Sequence, residues 1–123
     1  MNKLDFAVNM QGRTKAFAIQ VIHLSRKLSK TDEVRVLGRQ LLRPATSVPA
    51  NYRAVCRAKS DADFIHKLGT VVEEADESLL WLELLEEANL CQSPLLAPLK
   101  SEANELLRIL QTSLNTAKRH ASR

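Results

Sequence analysis

The sequence predicts an all-α protein, an antiparallel up-down-up-down four-helix bundle. Leu, Ala, Lys, Arg and Glu dominate, whereas aromatic residues make up 4% and the strand-favouring β-branched types are sparse. Apolar residues recur at helical spacing in four stretches, and the gaps between them are short and carry helix-starting residues. At 123 residues the chain has the length of one domain, which buries roughly two thirds of the surface its unfolded form exposes. A content of 45% hydrophobic residues with three Gly and four Pro excludes a disordered or low-complexity chain.

The first helix is expected over about 13 to 29, where Phe17, Val21, Leu24 and Leu28 line one face. Residues 1–12, interrupted by Asp5 and Asn9, read as a flexible N-terminus. Thr31 is the expected N-cap of the second helix, with Asp32 and Glu33 favourable at its positive end.

That second helix, over about 32 to 58, contains Pro44 and Pro49, so a kink or local break is expected there. Leu37, Leu41, Ala45, Val48, Tyr52 and Val55 share its apolar face. Arg35, Arg39, Arg43, Arg53 and Arg57 gather on the opposite side within a sector of roughly 80°.

A third helix opens at Ser60, with Asp63 reaching back in the manner of a capping box. Ile65, Leu68, Val72, Ala75, Leu79 and Leu82 then keep bundle spacing, and Gly69 reads as a point of close helix approach. Leu80, Trp81, Leu84 and Ala88 fall outside that seam as a second apolar stripe. Either Trp81 folds over the core edge or the stripe is an oligomer interface, which its setting among Glu83, Glu86 and Glu87 favours.

The fourth helix follows Ser93, with Pro94 at its first position. Leu96, Leu99, Ala103, Leu106, Leu110, Leu114 and Ala117 form its core face, ahead of a frayed basic tail over 118–123. The whole of 1–123 is one domain.

The net charge of +4 conceals a segregation. Residues 1–60 carry twelve Lys or Arg against three acids, while residues 61–90 carry nine acids against Lys67 alone. Such halves pair across a fold or oligomer interface, or the basic half faces an anionic partner. Candidate phosphate-binding residues are Arg13, Lys15, Arg26, Lys27 and Lys30 with Arg35, Arg39 and Arg43. Five aromatic residues, mostly on core faces, are too few for base stacking, so backbone- and shape-directed contacts are expected.

No catalytic pattern emerges. A di-iron bundle needs paired Glu-x-x-His motifs, and a single Asp63-x-x-His66 is the nearest approach. Cys56, Cys91, His23, His66 and His120 lack zinc-site spacing, and no glycine-rich phosphate loop or nucleophile elbow occurs. A non-enzyme without cofactor or metal is expected, cytoplasmic, with reduced thiols and no membrane anchor.

Residues 47 to 82 carry a recognisable pattern. Ser47-Val48-Pro49-Ala50-Asn51-Tyr52-Arg53 is followed by Arg57-Ala58-Lys59-Ser60 with Asp63-Phe64 and Lys67-Leu68, then Glu74-Ala75-Asp76-Glu77-Ser78 and Trp81-Leu82. The pattern resembles the bacterial four-helix-bundle family of 23S ribosomal RNA intervening-sequence proteins, related to accessory proteins of diversity-generating retroelements. The resemblance implies a small cytoplasmic bundle, a ring-like homo-oligomer of pentamer type, and a basic surface for RNA. Members often carry Glu-Ala or Glu-Gly shortly after the Asn, where this chain has Ala54-Val55.

The matching polar residues have structural roles to expect. Ser47 and Asn51, one turn apart, are placed to satisfy backbone groups that the prolines disturb. Glu74 and Glu77 are natural partners for Arg53 and Arg57, within the subunit or across an interface. The expected function is a non-enzymatic, oligomeric, RNA-binding or ribosomal-RNA-associated protein. The alternative is a protein-interaction adaptor or accessory subunit of a reverse transcriptase or other nucleic-acid enzyme, its acidic third helix meeting a basic partner.

Overall fold

A computed structural model describes residues 2–122, and they form four helices: α1 (Lys3–Ser25), α2 (Asp32–Cys56), α3 (Asp61–Glu87) and α4 (Leu96–Ala121). Each helix packs on the next in sequence, and α1 closes the bundle on α4 through the sparsest of the four contacts. Among the described residues the backbones of the diagonal pairs do not approach closely. One end of the bundle gathers the start of α1, the end of α2, the start of α3 and the end of α4, as alternating helix directions require.

Residues expected as a flexible N-terminus are instead the first turns of α1. The Asn2 side chain accepts a hydrogen bond from the Asp5 amide at 2.8 Å, and Met10 is buried. Capping and burial outweigh the polar Asp5 and Asn9, which point outward and are exposed. The helix stops at Ser25, and Leu28 lies beyond it, half-buried against the core. The close approach falls at Gly38, not Gly69. A Cβ on Gly38 would meet the Leu28 Cδ1 at 3.2 Å, whereas one on Gly69 would meet nothing within 4 Å.

Thr31 does occupy the N-cap of α2, but its hydroxyl faces the Ser29 hydroxyl at 3.3 Å and makes no capping bond. The helix runs unbroken through Pro44 and Pro49, so the local break does not occur. Both prolines sit against the core, Pro44 buried and Pro49 half-buried, and their missing amides leave only the Gln40 and Ala45 carbonyls without the usual donor. The expected apolar face is the core face: Leu41, Ala45, Val48, Tyr52 and Val55 are buried, and Leu37 is half-buried against the core. Burial, with the nearby Cys56 thiol, pushes the Tyr52 hydroxyl well above its ordinary pKa.

At the start of α3 the Ser60 hydroxyl accepts from the Asp63 amide at 3.0 Å. Asp63 reaches back one residue further than a capping box does, accepting from the Lys59 amide at 3.0 Å, and also holds Lys67 at 2.9 Å. Those bonds hold its carboxyl below the usual carboxylate range, the Lys59 amide contributing most. The far end closes in a Schellman motif. Leu90 donates its amide to the Leu85 carbonyl and Asn89 donates to Glu86, with Asn89 in the left-handed region at φ 57°.

Pro94 lies in the turn before α4, not at its first position; Leu96 is the first helical residue, and the Ser93 hydroxyl accepts from the Leu95 amide. Six of the seven predicted core positions of α4 are buried and Ala117 is half-buried. Much of the basic tail expected to fray continues the helix, through Ala121, and Arg123 lies outside the described residues. The two fully buried polar side chains, Thr14 and Ser78, each donate to the carbonyl four residues earlier.

Candidate nucleic-acid interface

The outer face of α2 presents Arg35, Arg39, Arg43, Arg53 and Arg57, all exposed. Four of them, Arg35, Arg39, Arg43 and Arg53, lie within α2 and at roughly 100° per residue fall in one sector, while Arg57 follows its last helical residue. Lys15, Arg26, Lys27 and Lys30 are also exposed, on α1 and the connection to α2. Among the described residues none of these nine side chains forms an ion pair with a carboxylate.

Arg13 differs. Its Nε and Nη2 donate to the two carboxylate oxygens of Glu102 on α4, at 3.0 and 2.7 Å. Hydrogen bonding to Glu102, opposed by partial burial, raises its already high pKa. Arg13 therefore joins α1 to α4 and, unlike the other nine, is held in an ion pair.

The expected pairing of Glu74 and Glu77 with Arg53 and Arg57 does not form within the subunit. Glu74 lies half-buried on the α2 side of α3 and accepts from the Asn51 amide nitrogen at 2.7 Å. Glu77 accepts from the Trp81 ring nitrogen at 3.3 Å. Asn51 thus ties two helices together and does not repair backbone at the prolines; the Thr46 hydroxyl donates to the Leu42 carbonyl at 2.7 Å, which is not one of the carbonyls the prolines leave without a donor. Ser47 lines a small polar notch of about 220 Å³ with Gln40, Arg43, Pro44, Glu74 and Glu77.

The second stripe of α3 divides. Trp81 is half-buried and packs against the core, whereas Leu80, Leu84 and Ala88 are exposed. Sequence reasoning missed a comparable feature on α1, where Leu4 is 71% exposed, Val8 61% and Ile19 43%. The signal was present in the four-residue step from Leu4 to Val8, on a segment not taken as helical. It also missed an open cleft of about 1010 Å³ at the end of the bundle where Asn2, Phe6, Phe64 and His120 meet.

Cys56 and Cys91 are both free thiols. Among the described residues no three His, Cys, Asp or Glu side chains converge as metal ligands, and no helix is long and apolar enough to cross a membrane.

These features define a four-helix bundle whose basic groups are free on one pair of helices and whose acidic groups concentrate on the next. The family model for the 23S rRNA-intervening sequence protein matches residues 8–112, and the chain belongs to that family. It is similar to the crystal structure of a protein of unknown function from the S23 ribosomal protein family of Bacteroides thetaiotaomicron. The two share 30% sequence identity and a TM-score of 0.77, over 85% of this chain and 97% of that one. No protein of curated function matches.

Proposed function

We propose that this chain is a non-enzymatic, homo-oligomeric RNA-binding protein, ribosomal RNA being the ligand class its family name points to. The observation that carries this reading is the exposed Arg35, Arg39 and Arg43 on one sector of α2, without an acidic partner among the described residues. Arginine forks suit bidentate phosphate contact, and Lys27 and Lys30 at the adjoining connection extend the positive field. The few aromatic side chains are mostly turned into the bundle, so RNA is held by its backbone and shape.

The test is fluorescence anisotropy of a labelled ribosomal RNA hairpin against salt, with duplex DNA of equal length as competitor. Counterion release makes affinity fall steeply as salt rises, and the triple variant R35A/R39A/R43A is expected to lower the log–log slope by about 3. An absence of RNA affinity at low salt overturns the reading and leaves the arginines to an acidic protein partner.

A further inference from the structure

Three of the chain's five aromatic residues, Phe6, Tyr52 and Phe64, converge on the open cleft of about 1010 Å³ at one end of the bundle. They come from α1, α2 and α3, and packing among the helices leaves the space before them unfilled. Its size is that of clefts that take small organic molecules. Phe6 and Phe64 are half-buried, so each keeps part of its surface accessible. Tyr52 is 5% exposed, and beside its hydroxyl stands the Cys56 thiol, a weak hydrogen-bond partner. Burial keeps that hydroxyl protonated, as a donor with capacity for a stronger acceptor. The lining includes Lys3, Lys59 and His120 against one carboxylate, Asp61, and neither lysine is in an ion pair among the described residues.

We propose that this cleft is a binding site for a small aromatic carboxylate. The ligand's ring would lie against Phe6 and Phe64, where aromatic groups pair at offset or edge-to-face geometry. Its carboxylate would accept from the Tyr52 hydroxyl in the positive field of Lys3 and Lys59. A cation of the same shape gains neither contact, since the lysines repel it and it offers the hydroxyl no acceptor. A purely apolar ligand leaves the buried donor with the thiol alone. None of Arg35, Arg39 and Arg43 lines the cleft, so the inference does not rest on the RNA reading.

The experiment is titration calorimetry of the full chain with naphthoate, and with naphthylmethylammonium as the counterpart of opposite charge. Naphthoate is expected to bind at least about tenfold more tightly. Y52F and K3E/K59E are each expected to weaken naphthoate by about tenfold. Both should keep the wild-type circular dichroism, because the first removes a single hydroxyl and the second changes exposed side chains. The two free cysteines locate the site: Cys56 lines the cleft, whereas Cys91 lies beyond the other end of α3, roughly 40 Å away. Saturating naphthoate should slow maleimide labelling of Cys56 several-fold and leave Cys91 unchanged, as read by peptide mass spectrometry. The proposal is overturned by an absence of naphthoate binding, by equal affinity for the two probes, or by variants that bind like the wild type. Protection of both thiols or of neither also overturns it, as does a Cys56 unreactive without ligand, since the cleft is then covered in solution. Protection of Cys56 by the ribosomal RNA hairpin and not by naphthoate overturns it too, and gives the cleft to RNA.

Discussion

The seam between α2 and α3 and the seam between α1 and α4 are built differently. The first joins helices separated by four residues, packs most extensively, and carries one hydrogen bond between side chains, from Asn51 to the half-buried Glu74. The second joins the two ends of the chain, packs most sparsely, relies on the forked Arg13–Glu102 pair, and opens at one end into the cleft. A short loop holds α2 and α3 close in the unfolded chain as well, so ordering them costs less than closing α1 onto α4. The closing seam therefore has an ion pair specifying its register where apolar contact is thin.

The contrast breaks most sharply in the core. Leu41→Ala, at a fully buried position of α2, is expected to destabilise by about 3 kcal/mol, because the transfer free energy is lost and a void is left in the packed core. Phe6→Ala, at the cleft, should cost less than about 2 kcal/mol, since the ring is only half-buried and borders space already open. Urea unfolding of both variants measures the difference, and equal losses would mean the cleft is as tightly packed as the centre.

A smaller effect separates the polar contacts. Double-mutant cycles are expected to give about 1.5 kcal/mol for Asn51 with Glu74, a charge-assisted bond with a half-buried acceptor. Arg13 with Glu102 should give about 0.5 to 1 kcal/mol, because both side chains remain about one third exposed and water screens them. Raising salt should shrink the second coupling more than the first.

The smallest expected effect compares two glycines. Gly69→Ala should stabilise by roughly 0.5 to 1 kcal/mol, as the new methyl enters open space in a helix interior. Gly38→Ala should gain less, since the Leu28 methyl must move to admit it. Thermal melts rank the pair, and the reverse order would place the close approach at Gly69 after all.

The four helices and most of the core were legible in the sequence because α2 and α4 keep a clean apolar face against a polar one. Where the pattern is mixed, reading failed. The start of α1 spreads Leu4, Phe6, Val8 and Met10 around the helix, so periodicity gives no single face, and the Asn2 cap with Asp5 three residues on was the local cue. The arginine sector of α2 was legible because exposure follows from its position opposite the core. Partners across the bundle were not. Arg13 meets Glu102 across 89 residues of chain, and Asn51 takes Glu74 in preference to either arginine, choices fixed by helix rotation and register that spacing along one helix does not encode.

The succession of helix contacts also governs how the chain reaches this structure. Three of the four interfaces join consecutive helices, and α1 with α4 is the one pairing that spans the sequence. Such a topology has low contact order, and bundles of this type fold within microseconds to milliseconds. Consecutive hairpins can form while the search is still local, leaving the α1–α4 closure as the late, entropically dear event. Mutations along that seam should then act chiefly on the unfolding limb of a chevron plot, and those between α2 and α3 on the folding limb.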